Sequence, residues 1–209
     1  MWELIRSGNV MMIPLGLCSL VGLAIFIERL VALRRGSIVY PEVAQAVETL
    51  DASRDFGVAY AILDRRPGPF ANVVRSGLDH ADADWEIVRD VLQETGRQEA
   101  VRLSRNLNVL ETVAAVAPLL GLLGTVTGMI RVFRVVSTAG LGQPEVLSGG
   151  ISEAMITTAA GLMIGIPALV AYHWLQGRAD GIIFELEQYA SKLLDSLRRR
   201  RAGDAEEGA

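Results

Sequence analysis

The sequence has few of the residues that form disulfides and metal centres. It contains one cysteine, Cys18, and two histidines in 209 residues. A single cysteine forms no disulfide within the chain, and this one lies in an apolar stretch, where a packing role suffices to explain it. The sequence also lacks an internal repeat and the alternation of apolar and polar residues that is typical of strands. We therefore predict an all-α protein without a metal site or a cofactor.

Charged residues are absent from three long stretches, although 21% of the chain is charged. These stretches are residues 7–27, 112–130 and 154–177. Each approaches or exceeds the roughly 20 residues that a helix needs to cross about 30 Å of hydrocarbon. The first is too long for the core of a signal peptide and is followed by Glu28 and Arg29, so we interpret it as a retained span. We predict an integral membrane protein with transmembrane helices at residues 7–30, 107–134 and 150–177.

The distribution of basic residues predicts how the spans are oriented. Arginines are frequent after the first span and after the third. Only three basic residues lie on the other side, namely Arg6, Arg131 and Arg134. Because cytoplasmic loops carry an excess of basic residues, we predict that residues 31–106 and the C-terminal tail are cytoplasmic. Residues 1–6 and the loop 135–149 are then predicted to lie on the outer side, which is the periplasm if the protein is in a bacterial inner membrane.

Residues 31–106 are predicted to be a helical insert. The short helices predicted there are residues 42–50, opened by Pro41, residues 56–65, capped by Ser53 or Asp55, and residues 70–79 after the break at Pro67, Gly68 and Pro69. A further helix is predicted to start after Asp82 or Asp84. Because no proline interrupts it, we expect it to run unbroken through Asn108 into the second span.

The region after the third span is predicted to have two parts. Apolar residues at helical spacing in 178–197 indicate an amphipathic helix that continues the span into the cytoplasm. Neighbouring cytoplasmic helices, a sister subunit or the lipid surface could cover its apolar stripe. Residues 198–209 combine an arginine run with acidic residues and have no apolar face. They are predicted to be a disordered tail near anionic lipid.

Small residues recur on one face of the second and third spans. Because little hydrophobic force drives helices together in lipid, such stripes indicate close helix packing. Pro167 in the third span removes a backbone hydrogen bond and could bend that helix. The residues predicted to pack helices are Pro118, Gly121, Gly124, Gly128, Gly161 and Gly165.

Glu153 lies where the outer loop enters the third span, and two dozen residues without another charged side chain follow it. A carboxylate at the centre of a bilayer costs about 2.5–3.5 kcal/mol on insertion scales, so such groups face the bundle interior, form pairs or take up a proton. One interpretation is therefore a proton-handling role. Alternatively, Glu153 lies solvated in the interface and stabilises the first turn of the helix.

Ser152 and His173 raise the alternative of an intramembrane hydrolase. They lie 21 positions apart on one helix, which is roughly 30 Å at 1.5 Å per residue and far beyond hydrogen-bond distance. The spacing therefore argues against a catalytic pair. His173, between Tyr172 and Trp174, is interpreted as an interfacial residue of an aromatic belt, with a proton exit relay as the alternative.

Two motifs resemble the MotA/TolQ/ExbB proton channel family, and its ExbB/TolQ branch most closely. Residues 117–129 read APLLGLLGTVTGM, and residues 150–162 read GISEAMITTAAGL. The predicted topology also resembles that branch, whereas the flagellar branch has a fourth span. Thr127 replaces a Trp of some members and His173 stands where many carry Asn, so the subtype stays open.

The resemblance implies the stator of an ion-driven motor, a homopentameric ring around two ExbD- or TolR-like single-span subunits that carry a transmembrane aspartate. It assigns the channel carboxylate to Glu153 and two channel threonines to Thr125 and Thr158. Thr157 is a further candidate, because it lies one helical turn from Glu153 on the same face. A TonB- or TolA-like protein and membrane lipid are further expected partners, and nucleic acid is not expected.

The function implied is a proton channel of the bacterial inner membrane, not an enzyme, that converts proton motive force into work for outer-membrane transport or envelope processes. The few oxygen ligands near Glu153 favour protons over sodium. The alternative from the glycine stripes alone is a non-conducting oligomeric membrane scaffold. TonB-type import, Tol-type envelope maintenance and gliding or secretion motors all fit the motifs.

Overall fold

The computed structural model describes residues 10–34, 56–139 and 144–207, and these ranges are helical apart from short turns. The helices are α1 (Met12–Ala32), α2 (Gly57–Arg65), α3 (Pro69–Asp79), α4 (Trp85–Leu103), α5 (Leu107–Ala139) and α6 (Pro144–Glu207). The prediction of an all-α protein is confirmed. The predicted helix 42–50 and the caps Ser53 and Asp55 lie outside the described residues.

Three helical stretches are long and apolar enough to cross a membrane, as predicted. They are Met12–Ala32, Trp85–Thr138 and Leu147–Arg201. The uncharged part of the second stretch belongs to α5. Within the most apolar 18 residues of each stretch, only 17%, 33% and 28% of the residues, respectively, are buried within the chain. The chain is therefore a multi-pass membrane protein whose spans leave most of their apolar surface for lipid or other subunits.

The helices form two compact units. The apolar unit contains α1 up to Arg29, α5, and the first part of α6 up to Leu175. The polar unit contains the end of α1, α2, α3, α4 and the rest of α6. In the apolar unit, α1 contacts α5 closely, because a Cβ on Gly22 would lie 3.2 Å from the side chain of Val113. Leu15, Leu110 and Ala117 are among the buried residues of this unit.

Helices α5 and α6 both extend into the predicted loop 135–149. Helix α5 continues to Ala139 and α6 begins at Pro144. Most of the predicted loop 135–149 is therefore helical. The uncharged stretches marked only the apolar parts of these helices, and polar residues extend each helix beyond the apolar part.

The predicted continuous helix from Asp84 into the second span is wrong. Helix α4 ends at Leu103, and α5 starts at Leu107. Between them, Asn106 adopts a positive φ of 62°, a left-handed conformation that Asn tolerates better than most residues. Its side-chain amide donates a hydrogen bond to the Glu28 carboxylate at 3.1 Å. The absence of proline was therefore not sufficient to predict a continuous helix.

The polar unit has its own core. Phe70 is fully buried, and its ring meets the ring of Tyr189 edge-on with 4.9 Å between the centroids. A Cβ on Gly77 would come within 3.0 Å of side-chain atoms of Leu92 and Leu193, so α3 packs closely against α4 and α6. The apolar stripe of the predicted amphipathic helix 178–197 is covered by helices of the same chain. Its buried members are Ile182, Leu186, Leu193 and Leu197.

Residues 198–207 are helical, contrary to the disordered tail predicted for residues 198–209. Helix α6 continues to Glu207. The Arg198 guanidinium lies over the ring of Trp85 at 5.3 Å, and that of Arg200 over the ring of Phe56 at 4.2 Å. The sequence interpretation treated these arginines only as charges, but their guanidinium groups also stack on aromatic rings of the polar unit.

Candidate proton site on helices α5 and α6

Helices α5 and α6 pack antiparallel along a line of small residues. From one end of the contact to the other, the facing pairs are Gly165 with Pro118, Gly161 with Gly121, Thr157 with Gly124, Ala154 with Gly128, and Gly150 with Val132. All the residues predicted to pack helices lie on this line. The small-residue stripes of the two spans therefore face each other within one chain.

The glycines on this line have no room for a side chain. A Cβ on Gly161 would lie 2.6 Å from the carbonyl oxygen of Ala117, and a Cβ on Gly128 would lie 2.7 Å from the Cβ of Ala154. Real Cβ contacts are essentially never under 3.0 Å. The two backbones thus touch directly, as small residues permit in membrane helices.

Thr157 is part of this packing. The residue is fully buried, and its methyl group fills the space above Gly124. Its hydroxyl donates a hydrogen bond of 2.9 Å to the backbone carbonyl of Glu153, one turn back on the same helix. Such a bond is common for Thr in membrane helices. Thr157 is therefore near Glu153, but its hydroxyl binds the backbone of Glu153 and not the carboxylate.

Thr158 bonds across the helix pair. Its hydroxyl donates to the backbone carbonyl of Gly121 on α5 at 2.9 Å, and the side chain is partly buried. The helix wheel separates Thr157 and Thr158 by about 100°, yet both contact α5. This is possible because the glycines of α5 bring its backbone close enough to reach both positions.

Thr125 lies on α5 next to Gly124, and its hydroxyl donates to the carbonyl of Leu122 at 2.6 Å. Among the described residues, neither Thr125 nor Thr158 forms a hydrogen bond with the Glu153 carboxylate. The structure therefore places the predicted threonines on the same helix pair as Glu153 without joining them into one hydrogen-bond chain.

The Glu153 carboxylate instead pairs with Arg131 near the end of α5. One nitrogen, Nη1, donates to both carboxylate oxygens at 3.1 Å and 3.2 Å. The Glu153 side chain is 21% exposed and that of Arg131 is 55% exposed. Glu153 is thus half-buried beside a permanent positive charge.

Arg131 is the residue of this site that the sequence analysis missed. It was counted only as one of three basic residues on the outer side. A signal was present, because Arg131 directly follows the second uncharged stretch and Glu153 directly precedes the third. An antiparallel helix pair brings those two edges together.

The hydrolase alternative finds no support in the geometry. Ser152 and His173 lie on the same continuous helix, α6, about 30 Å apart along its axis. The ring of His173 lies beside that of Tyr172, with 5.1 Å between the centroids. Within the described ranges, no cluster of three or more His, Cys, Asp or Glu residues could hold a metal ion.

Comparisons with known proteins show what this chain is similar to. The MotA/TolQ/ExbB proton channel family profile matches residues 65–188. The biopolymer transport protein ExbB-like 1 of Synechocystis is 34% identical over 177 residues, 81% of this chain and 68% of that protein. The biopolymer transport protein exbB1 of Vibrio cholerae is 31% identical over 88% of this chain and 83% of its own length. The Tol-Pal system protein TolQ of Haemophilus influenzae is 35% identical over 59% of this chain and 56% of its own length.

Proposed function

Because the chain belongs to the MotA/TolQ/ExbB proton channel family, we propose that it is a stator subunit in which Glu153 carries protons across the membrane. The observation that carries this proposal is the position of Glu153. Its carboxylate lies on a helix pair with apolar outer faces, at the edge of an uncharged stretch of 24 residues, 154–177. A titratable group at such a place is a candidate for ion transport by default.

The proton motive force supplies the energy in this proposal. A membrane potential contributes about 2.3 kcal/mol per elementary charge per 100 mV. Thr125 and Thr158 are proposed to line the path of the proton, as the family resemblance implies. Each hydroxyl already donates to a backbone carbonyl, and its oxygen can still accept a hydrogen bond from a water molecule or a protonated carboxyl group.

We further propose that a single-span subunit with a transmembrane aspartate completes the channel. The TolQ relative is named as a Tol-Pal system protein and the exbB1 relative as a biopolymer transport protein, which supports a role in a system of this type. We propose that its work serves outer-membrane transport or the cell envelope. A homopentamer in the bacterial inner membrane is the proposed assembly, with residues 1–6 periplasmic and the C-terminus cytoplasmic.

The test compares Glu153→Gln with Glu145→Gln. Glu145 is an exposed acid in the first turn of the same helix, so its substitution is a matched control. The complex is isolated from the source cells through a tag on this chain and reconstituted in vesicles with a pH-sensitive dye. Under an imposed potential, we expect Glu153→Gln to abolish proton uptake and Glu145→Gln to leave it unchanged. Normal uptake by Glu153→Gln would refute the proton role.

The non-conducting scaffold is less well supported than it was by the sequence. Its motivation was the glycine stripes, which in the structure face each other inside one chain. They are therefore not available as a subunit interface. Under this alternative, Glu153→Gln assembles normally and the wild-type complex shows no proton uptake.

A further inference from the structure

We propose that Arg131 is a positioning residue for Glu153, which holds the carboxylate turned toward α5 when no proton is bound. This inference rests on the proposed function, because it concerns the unprotonated state of the same group. It assigns to Arg131 a role that is distinct from the glycine packing around it.

Helix packing fixes the register of the pair. On one side of the Arg131–Glu153 ion pair, Gly128 contacts Ala154, and on the other side, Gly150 contacts Val132. These backbone contacts leave little freedom for α5 to slide along α6. Arg131 and Glu153 are therefore held opposite each other, unlike two surface side chains that meet by chance.

The hydrogen bonds fix the direction of the carboxylate. Nη1 of Arg131 lies between both oxygens, at 3.1 Å and 3.2 Å. A carboxylate offers both of its oxygens as acceptors, and a hydrogen bond from a charged donor to it is stronger than one between neutral groups. Since arginine remains charged at every accessible pH, its hydrogen bonds to Glu153 are charge-assisted.

Few other charges face Glu153 in the described part of the chain. On its own helix, Glu145 lies eight residues earlier, about 12 Å along the axis. The charged residues of α1 in this range, Glu28 and Arg29, lie at the end of α1 that bonds to Asn106 at the start of α5. Asn106 is 25 residues from Arg131 along the chain. On α5, Arg134 is the next charge after Arg131 and is exposed.

The consequence is that the Glu153 carboxylate has a defined orientation when no proton is bound to it. A proton that binds Glu153 binds to a carboxylate that is already hydrogen-bonded to Arg131. Protonation weakens these hydrogen bonds, because the carboxyl group loses its charge. The carboxyl group is then free to turn away from α5. Arg131 thereby links the orientation of Glu153 to its protonation.

Reaction with a hydrophobic carbodiimide tests this proposal, because the reagent modifies protonated carboxyl groups. Labelling of Glu153 is measured by mass spectrometry on the purified complex at neutral pH. Without Arg131, the described residues give the Glu153 carboxylate no charge-assisted hydrogen bond, a type of bond roughly twice as strong as a neutral one. We therefore expect Arg131→Gln to raise the initial labelling rate severalfold, while Arg131→Lys stays near the wild type.

Arg134→Gln is the matched control, since it removes an equal charge one turn away. We expect it to label like the wild type. Equal rates for Arg131→Gln and Arg134→Gln overturn the positioning role. If Arg131→Gln does not assemble, Arg131→Lys decides the matter, because a pure packing role predicts reduced assembly for it and a charge role does not.

The pH profile of proton uptake separates this inference from the proposed function. We expect the acid-dependent phase of uptake to shift to higher pH in Arg131→Gln. If Glu153→Gln is inactive while labelling and pH profile are unchanged in Arg131→Gln, only the role of Arg131 fails. If Glu153→Gln transports protons normally, the proposed function fails, and the labelling rates still report whether Arg131 controls the ionisation of Glu153.

Discussion

Thr158 on α6 donates a hydrogen bond to the backbone carbonyl of Gly121 on α5, with 2.9 Å between the two oxygens. The bond joins the two helices where Gly161 also touches Gly121. A threonine that the family resemblance assigns to ion transport thus also stabilises the helix pair. A mutational loss of transport at Thr158 therefore has two possible physical origins, and substitutions that keep or remove the hydroxyl distinguish them.

Thr158→Val removes this hydroxyl and keeps the shape of the side chain. Hydrogen bonds between membrane helices contribute about 0.6 kcal/mol on average, so we expect a destabilisation of about 0.5–1 kcal/mol. Thr157→Val is the control, because the hydroxyl of Thr157 binds a carbonyl of its own helix and its loss leaves α5 and α6 in contact. Thermal unfolding in detergent measures the difference. Thr158→Ser keeps the hydroxyl and should keep the bond to Gly121. Equal losses of stability in Thr158→Val, Thr157→Val and Thr158→Ser would contradict a stabilising role for this bond.

Gly161→Ala places a methyl group against the backbone of α5. Its Cβ would lie 2.6 Å from the carbonyl oxygen of Ala117, so the helices must separate. Overpacking of this kind costs about 1–3 kcal/mol. We expect a corresponding fall in the unfolding temperature of the purified protein.

Gly149→Ala serves as the control for the glycine prediction. A Cβ on Gly149 meets nothing within 4 Å, and alanine favours a helix by up to about 1 kcal/mol over glycine. We therefore expect this variant to be as stable as the wild type or more stable. A stable Gly161→Ala protein would show that the backbones do not touch as described.

Asn72→Ala tests the polar unit. Glu99 is 4% exposed, and its carboxylate accepts a hydrogen bond from Asn72 at 2.9 Å and one from Arg102 at 2.7 Å. Removal of the Asn72 donor leaves a buried carboxylate short of one partner, which costs about 1–3 kcal/mol. Hydrogen exchange of the α3 and α4 amides measures the loss.

Gln98→Ala is the corresponding control, because Gln98 donates a hydrogen bond to Glu94 on the exposed face of α4, the helix that also carries Glu99. We expect its exchange rates to match the wild type. The same acceleration in both variants would mean that the Asn72 bond to Glu99 does not stabilise the unit.

Tyr60 is expected to ionise at unusually high pH. Burial, its 2.7 Å hydrogen bond to Asp79 and the charge of that carboxylate raise the pKa of Tyr60 from 10.0 to about 12, against the lowering effect of Arg75. Because the folded pKa exceeds the unfolded one, this contribution to stability is complete below pH 10 and is lost as the pH rises toward 12.

Phenolate absorbance against pH measures this ionisation. The chain has four tyrosines, so Tyr60→Phe should remove about a quarter of the total change, from the high-pH end of the curve. Asp79→Asn should move that part to lower pH, because it removes the negative charge. A Tyr60→Phe difference centred at the ordinary value of about 10 would contradict the predicted shift.

Sequence reasoning predicted the main elements because their signals are local. Uncharged length marked the spans, and the break at Pro67, Gly68 and Pro69 marked the start of α3 to within one residue. The break at Asn106 was missed because Asn itself adopts the positive φ, so that no proline or glycine marks the break in the sequence. Likewise, the ordered Arg198 and Arg200 depend on rings that lie more than 100 positions earlier in the chain.

The candidate site was predicted in part for the same reason. Glu153 stood out as a lone acid, and each glycine stripe was visible on its own helix. That the stripes face each other, and that this brings Arg131 to Glu153, depends on how α5 and α6 are paired. Spacing within one helix contains no information about that pairing.

Direct contact between glycine backbones has a mechanical consequence. Where Gly161 touches Gly121, no layer of side chains separates the two helices that could compress under load. We therefore expect the two helices to move together as one rigid element, with Glu153 near one end of their contact, so that a displacement of either helix also displaces the carboxyl group.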